Sequence, residues 1–220
     1  DIDTTCLSFV TSFEIASKMI DNNQYKNIII VSSEIASKGL NPNNRETLTL
    51  FGDAAAAVIV SYQEQGDSSF IKGAMNTHSQ GVFSTLIKGG GNKYFFKDYP
   101  YDENLHSFAM DGPKLLKLAS KEIKGFLLNF FKDIPYTLED VDVVIPHQTS
   151  KIGHMLLKKT LNTNEVKIMN NLSDNGNCIS ASIPLLFHQS IQNGKINRGD
   201  LCLFIGTSAG FSIGASLFRF

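Results

Sequence analysis

Nothing in the 220 residues forms a long run of one charge, and no apolar stretch approaches the roughly 20 residues that a bilayer-spanning helix needs. The first absence removes any electrostatic reason to expect nucleic acid or a membrane surface as the main partner, since 20 basic and 21 acidic residues give a formal net charge of -1. The opening residues also lack a basic, apolar, small-residue signal pattern. Cysteine is scarce: Cys6, Cys178 and Cys202 are three in number and widely spaced, which fits neither a disulfide framework nor a metal cluster. A cytoplasmic setting is expected, with small molecules and proteins as partners. A lead-in is lacking as well. Asp1 runs straight into a core-like segment, so a missing front is expected.

What is present is an ordinary globular composition, 42% hydrophobic, enough for a substantial core in one large domain or two smaller ones. Cys6, Phe9, Val10, Phe13, Ala16 and Ile20 recur at helical spacing, with Asp3 or Thr4 as N-cap and Asp21-Asn22-Asn23 as the stop. The runs Asn27 to Ser33 and Ala54 to Val60 read as strands buried on both faces, as in a parallel sheet. The same order of helix, strand, strand recurs at Ser182 to Gln192, Leu201 to Ile205 and Ser212 to Phe218. An internal duplication overlays Lys26–Ser33 on Asp200–Thr207 and Gly52–Ala55 on Ser212–Ala215.

Between the copies lie an amphipathic helix marked by Leu115, Leu116, Ala119, Ile123, Phe126, Leu127 and Phe130, and the strand Val141 to Ile145 closed by Pro146. The division expected is 1–85 for the first half with the nucleophile, 86–106 as a connecting loop, and 107–220 for the second half. The loop contains Gly89-Gly90-Gly91, but no helix-opening Lys-Ser/Thr follows them as in a phosphate cradle.

Three residues could carry chemistry. His147 follows a buried strand, where α/β sheets place ligands, although a surface or capping histidine would look the same. Cys6 sits in the first turn of its helix, where free N–H groups favour an anion and would lower a thiol pKa of about 8.5; a buried apolar cysteine is the plainer reading. Asn177 follows Asn175-Gly176 in a tight turn, near the duplicated counterpart of Cys6, and could have only a local role. Together, a cysteine, a histidine and an asparagine at strand ends and helix starts are what cysteine-based acyl transfer requires.

The ordered motifs Asp3-Thr4-Thr5-Cys6-Leu7-Ser8-Phe9, Phe51-Gly52-Asp53-Ala54-Ala55-Ala56, Met110-Asp111-Gly112, Pro146-His147-Gln148, Gly176-Asn177 with Ser180-Ala181-Ser182-Ile183-Pro184, and Gly210-Phe211-Ser212-Ile213-Gly214-Ala215 span the chain. By these the sequence resembles the β-ketoacyl-acyl-carrier-protein synthase III family of the thiolase superfamily. The resemblance implies an α/β thiolase-like fold, a duplicated five-layer αβαβα architecture with the first half incomplete, and a homodimer. It implies that Cys6, His147 and Asn177 are catalytic, with the backbone N–H groups of Cys6 and Ala209 forming an oxyanion hole.

The reaction implied is decarboxylative condensation: Cys6 takes an acyl group from acyl-CoA, and malonyl-acyl carrier protein then accepts it, with no metal or bound cofactor. Departures from the family pattern are Cys178-Ile179 after the asparagine, Ser208-Ala209 in the final turn, and Ile152 where a basic residue often faces the carrier. Two alternatives stand beside this reading. One is a synthase of the same fold serving secondary metabolism or long-chain ketone formation, and the other a non-catalytic acyl-binding partner subunit.

Overall fold

The computed structural model describes residues 1–21, 24–162 and 168–220. A 3₁₀ turn, Thr5–Leu7, opens into helix α1 (Ser8–Asp21), whose Phe9, Val10, Phe13, Ala16 and Ile20 form the expected buried stripe. The stop expected at Asp21-Asn22-Asn23 falls partly outside the described residues. Strand β1 (Asn27–Glu34), the one-turn helix α2 (Arg45–Leu48) and strand β2 (Ala54–Ser61) follow. Next come β3 (Ser69–Thr77), β4 (Thr85–Ile87), the one-turn α3 (Glu103–His106) and β5 (Phe108–Met110). Helix α4 (Gly112–Phe131) starts where the Asp111 carboxylate accepts from the Lys114 N–H at 3.0 Å and a proline sits in the first turn. Strand β6 (Val143–Pro146) leads to α5 (Lys151–Leu161), capped by Ser150 Oγ, which accepts from the Gly153 N–H at 3.0 Å. The one-turn α6 (Leu172–Asn175), a second 3₁₀ turn at Ile179–Ala181, α7 (Ser182–Gln192), β7 (Leu201–Ser208) and β8 (Ser212–Arg219) complete the chain.

These elements stack in layers. A mixed four-stranded sheet, ordered β3-β8-β7-β6, has α4 and α5 on one face and α1 and α7 on the other, and α1 and α7 also pack against the two-stranded sheet β1-β2. The period of two along β7 makes both cores: Cys202 and Phe204 join Phe9, Phe13 and Phe187 between the sheets, while Leu201, Leu203 and Ile205 join Ile123, Phe126, Phe130 and Leu157 beneath the outer helices. Edge-to-face contacts of Phe13 and Phe187 with Phe204 and Phe218, at centroid distances of 5.0 to 5.8 Å, tie the inner core together. Four of the five expected layers are therefore found among the described residues.

The structure alters several expectations. Strands β1 and β2 run antiparallel, not parallel, and among the described residues only one face of them is covered. Ile28, Ile30, Val58 and Val60 turn to the inner core, whereas Ile29, Val31 and Ile59 are 62%, 64% and 67% exposed. Apolar identity alone does not say which face of a strand has a neighbour. The passage between the two sheets lies at the polar stretch 62–68, ahead of the boundary expected at residue 85, because β3 pairs with β8 from Ser69↔Arg219 to Thr77↔Ser212. The segment 86–106, expected as a plain loop, is closed at its base by the β4–β5 ladder.

The duplication is seen in the backbone with one change of register. Overlaying β1 on β7 matches Glu34 with Ser208, and their antiparallel partners Ala54 and Ser212 then correspond. This is two residues away from the expected overlay of Gly52 on Ser212. A shift of two preserves the inside-outside alternation, so the apolar pattern could not have detected it.

Ile29 and Ile59 are directly opposed on the bare face. Replacing them together, Ile29→Glu with Ile59→Lys, puts opposite charges across the pair without touching the core. Urea unfolding should shift by less than about 1 kcal/mol, and light scattering should show weaker self-association of the chain.

Candidate active site

Cys6 lies in the 3₁₀ turn before α1, not in the first α-helical turn. Local bonds fix that turn. Thr5 takes a left-handed φ of 51°, its N–H donates to Asp3 Oδ1 at 2.8 Å, and the Thr4 N–H donates to Ser8 Oγ at 3.0 Å. Leu7 anchors it from below, fully buried, in the space over Gly206 and Gly214, where an added Cβ would stand 3.2 Å and 3.0 Å from its methyl groups.

His147 extends β6 by one residue, its N–H donating to the Ile205 carbonyl at 2.8 Å. Its position requires glycine at 206, since a Cβ there would lie 2.7 Å from His147 Cβ. The ring is buried, and Nδ1 has no hydrogen-bond partner among the described residues.

Asn177 is held by the segment after α2. Its N–H donates to the Leu50 carbonyl at 2.9 Å, and its own carbonyl accepts from the Gly52 N–H at 3.1 Å. That approach needs a bare Gly52, whose Cβ would sit 1.9 Å from the Asn175 carbonyl oxygen. Asn177 Oδ1 accepts from the Ile179 N–H at 3.0 Å, which fixes the amide so that the NH₂ group is the end left to donate.

The duplicated counterpart of Cys6 is Ser180, three residues beyond Asn177. Three features of the first turn recur: Ile179 is left-handed at φ 48°, its N–H donates to Asn177 Oδ1 as Thr5 does to Asp3, and the Cys178 N–H donates to Ser182 Oγ at 3.0 Å as Thr4 does to Ser8. In this copy the turn is filled. Glu34, at the end of β1, accepts through Oε1 from the Ser180 N–H at 3.3 Å and also from the Ser180 hydroxyl. The second turn thus holds a carboxylate oxygen on the N–H that mirrors that of Cys6, an internal example of anion binding by this backbone shape.

Cys6, His147, Asn177 and Ala209 all line one cavity of about 400 Å³, and its other walls are largely apolar, including Leu86, Phe108, Leu115 and Leu157. The four site residues expected from the sequence therefore meet here. Glu34, Ser180 and Gly206 were missed. Continuing the expected overlay of Lys26–Ser33 by one residue would have set Glu34, a charge ending an apolar strand, opposite Ser208.

Residues 1–79 match the family described as 3-oxoacyl-[acyl-carrier-protein (ACP)] synthase III, and residues 131–220 match its C-terminal part. The chain belongs to this family. The β-ketoacyl-[acyl-carrier-protein] synthase III of Aliarcobacter butzleri is 31% identical over 100% of this chain and 66% of its own length. That of Clostridioides difficile is 28% identical with the same coverage. The crystal structure of 3-oxoacyl-[acyl-carrier-protein] synthase III from Aquifex aeolicus superposes with a TM-score of 0.87 at 28% identity, over 100% of this chain and 66% of that one. OleA from Xanthomonas campestris, 19% identical with a TM-score of 0.83, shares the fold. The chain thus spans about 66% of the length of the curated relatives it matches. Its fold is the thiolase-like α/β arrangement that the motifs implied.

The electrostatics of this family member's site reverse one expectation. Cys6 is only partly exposed, and into an apolar cavity, so burial pushes its thiol up to about 12; the Glu34 carboxylate adds to this, and the lowering by its own N–H does not compensate. The turn does not favour a resting thiolate. Burial also pulls His147 down to about 4, so the site at neutral pH pairs a thiol with an uncharged imidazole.

A depressed histidine pKa makes stability fall in acid. Above about 6.5 His147 is neutral whether folded or not, whereas between about 6.5 and about 4 the unfolded chain takes up a proton that the native site refuses. That gap corresponds to about 3 kcal/mol lost by pH 4. Urea titrations from pH 7 to pH 4 should show His147→Gln losing less stability than the parent chain by about that amount.

Proposed function

We propose that the chain carries the acyl-transfer and condensing site of a β-ketoacyl-acyl-carrier-protein synthase III. The observation that carries this reading is the convergence of Cys6, His147 and Asn177 on one apolar cavity beside a backbone turn of anion-binding shape. In the first half-reaction the Cys6 sulfur attacks the thioester carbonyl of an acyl-CoA. The C–S bond to coenzyme A breaks, coenzyme A leaves as its thiol with the proton given up by Cys6, and the acyl group stays on Cys6. The tetrahedral oxyanion is taken by the N–H groups of Cys6 and Ala209, in the way the Ser180 N–H takes the Glu34 oxygen.

In the second half-reaction malonyl-acyl carrier protein loses CO₂, and the electron pair of the broken C–C bond becomes an enolate. Its carbon attacks the acyl-Cys6 carbonyl, giving the 3-oxoacyl product, and Cys6 leaves as thiolate and regains a proton from water. His147 and Asn177 hold the enolate oxygen as neutral donors. A buried N–H without an acceptor costs more than a buried lone pair without a donor, so the unpartnered Nδ1 favours the tautomer protonated at Nε2. Neither half-reaction calls for a metal or a resident cofactor. A homodimer accompanies this reading on the resemblance alone, and a cytoplasmic setting on the cysteine pattern; among the described residues no helix is long and apolar enough to cross a membrane.

Mass spectrometry after incubation with an acyl-CoA should find a single acyl group, on Cys6, and none in Cys6→Ser. His147→Ala and Asn177→Ala should still accept the acyl label but lose about 100-fold or more in condensation with malonyl-acyl carrier protein, the usual consequence of removing one oxyanion donor. A label on Cys178 or Cys202 in place of Cys6, or a chain that binds acyl-CoA without acylation, would refute the reading.

A further inference from the structure

Glu34 stands out as a charged side chain that neither half-reaction uses. It ends β1 and reaches across to the turn before α7, where its Oε1 satisfies two donors of one residue, the Ser180 N–H and the Ser180 hydroxyl. The neighbouring N–H of the same turn, on Ile179, holds Asn177 Oδ1 at 3.0 Å. Two successive backbone donors thus point at two oxygens, one from Glu34 and one from Asn177. Ile179 does this at a φ of 48°, a conformation that a β-branched residue avoids unless its surroundings impose it.

We propose that Glu34 is the positioning residue for Asn177: its carboxylate ties the turn Asn177–Ser180 to the end of β1 and so sets where the Asn177 side chain stands in the cavity. Without an acceptor at Ser180, the turn keeps its local bonds, as the Cys6 turn does, but loses that tie to β1, and the Asn177 amide shifts with it. Among the described residues the corresponding turn at Cys6 has no such carboxylate, because the residue matching Glu34 is Ser208, a short hydroxyl whose Oγ donates to the Ala209 carbonyl at 3.1 Å. One copy is locked by a carboxylate and the other is left open for an oxyanion.

The catalytic consequence rests on the condensing role given above to Asn177, whereas the structural claim does not, and the experiment separates them. The side-chain NH₂ resonances of Asn177, assigned by their loss in Asn177→Asp, are followed by ¹⁵N–¹H spectroscopy in the 220-residue chain and in Glu34→Gln and Glu34→Ala. Glutamine keeps an acceptor oxygen at the same reach, so Glu34→Gln should retain the parent pair of peaks, while Glu34→Ala should shift or broaden it. Ser180→Ala breaks the side-chain half of the same contact and should move the peaks in the same direction, which keeps the test available if Glu34→Ala does not fold.

In parallel, Glu34→Ala should acylate Cys6 within about threefold of the parent yet condense at least about tenfold more slowly, with Glu34→Gln restoring most of the loss. Unchanged Asn177 peaks in Glu34→Ala and Ser180→Ala, or a Gln variant no better than Ala, would overturn the proposal. Equal loss of acylation and condensation in Glu34→Ala would overturn it too. A parent chain that neither acylates nor condenses would refute the function instead, and the Asn177 spectra would still decide the role of Glu34.

Discussion

The site depends on the absence of side chains at three places where backbones meet. Gly206 and Gly214, on adjacent strands, leave a hollow into which Leu7 sinks, and Gly206 also makes room for His147. One bare stretch of β7 therefore sets the height of both Cys6 and His147 above the sheet. Gly52 does the same for the third residue, letting the Asn175–Asn177 backbone come within hydrogen-bonding distance of the segment after α2. The first two contacts seat side chains directly on the sheet and the third joins main chain to main chain, so the three reactive side chains inherit the rigidity of the sheets.

The charge pattern around them follows from the same closeness. Lining the cavity with Leu86, Phe108, Leu115 and Leu157 leaves little to solvate a thiolate or an imidazolium, and both groups move toward their uncharged forms. Glu34 accentuates this at Cys6, since a second negative charge nearby disfavours the thiolate. The free N–H groups of the turn are therefore kept for an oxyanion that appears during reaction.

Much of this was legible in the sequence, for reasons that differ by element. Helix α7 was read with its observed bounds, Ser182 and Gln192, because a long apolar stripe leaves a strong periodic signal. Cys6, His147 and Asn177 could be picked out as a set because each stands at the junction of an apolar run and a polar turn. The faces of β1 and β2 could not be read, since Ile29 and Ile30 are the same residue type yet only Ile30 has a covering helix. Nor could the pairing of β3 with β8: nothing local in residues 69–77 names a partner more than a hundred residues away. Glu34 escaped because its role is visible only once Ser180 is seen to mirror Cys6.

The placement of β8 bears on how the chain comes to be folded during synthesis. Strand β8 lies inside its sheet, between β3 and β7, although it follows both in the sequence. Its pairing with β7 is local, but its pairing with β3 closes a loop that spans most of the chain, an entropic cost that grows only slowly with length but must be met before any of that contact is gained. Until Gly214 has emerged from the ribosome, Leu7 has only half of its seat, and β3 offers an unpaired edge. Cys6 must therefore wait for strands far downstream of it before its turn is set.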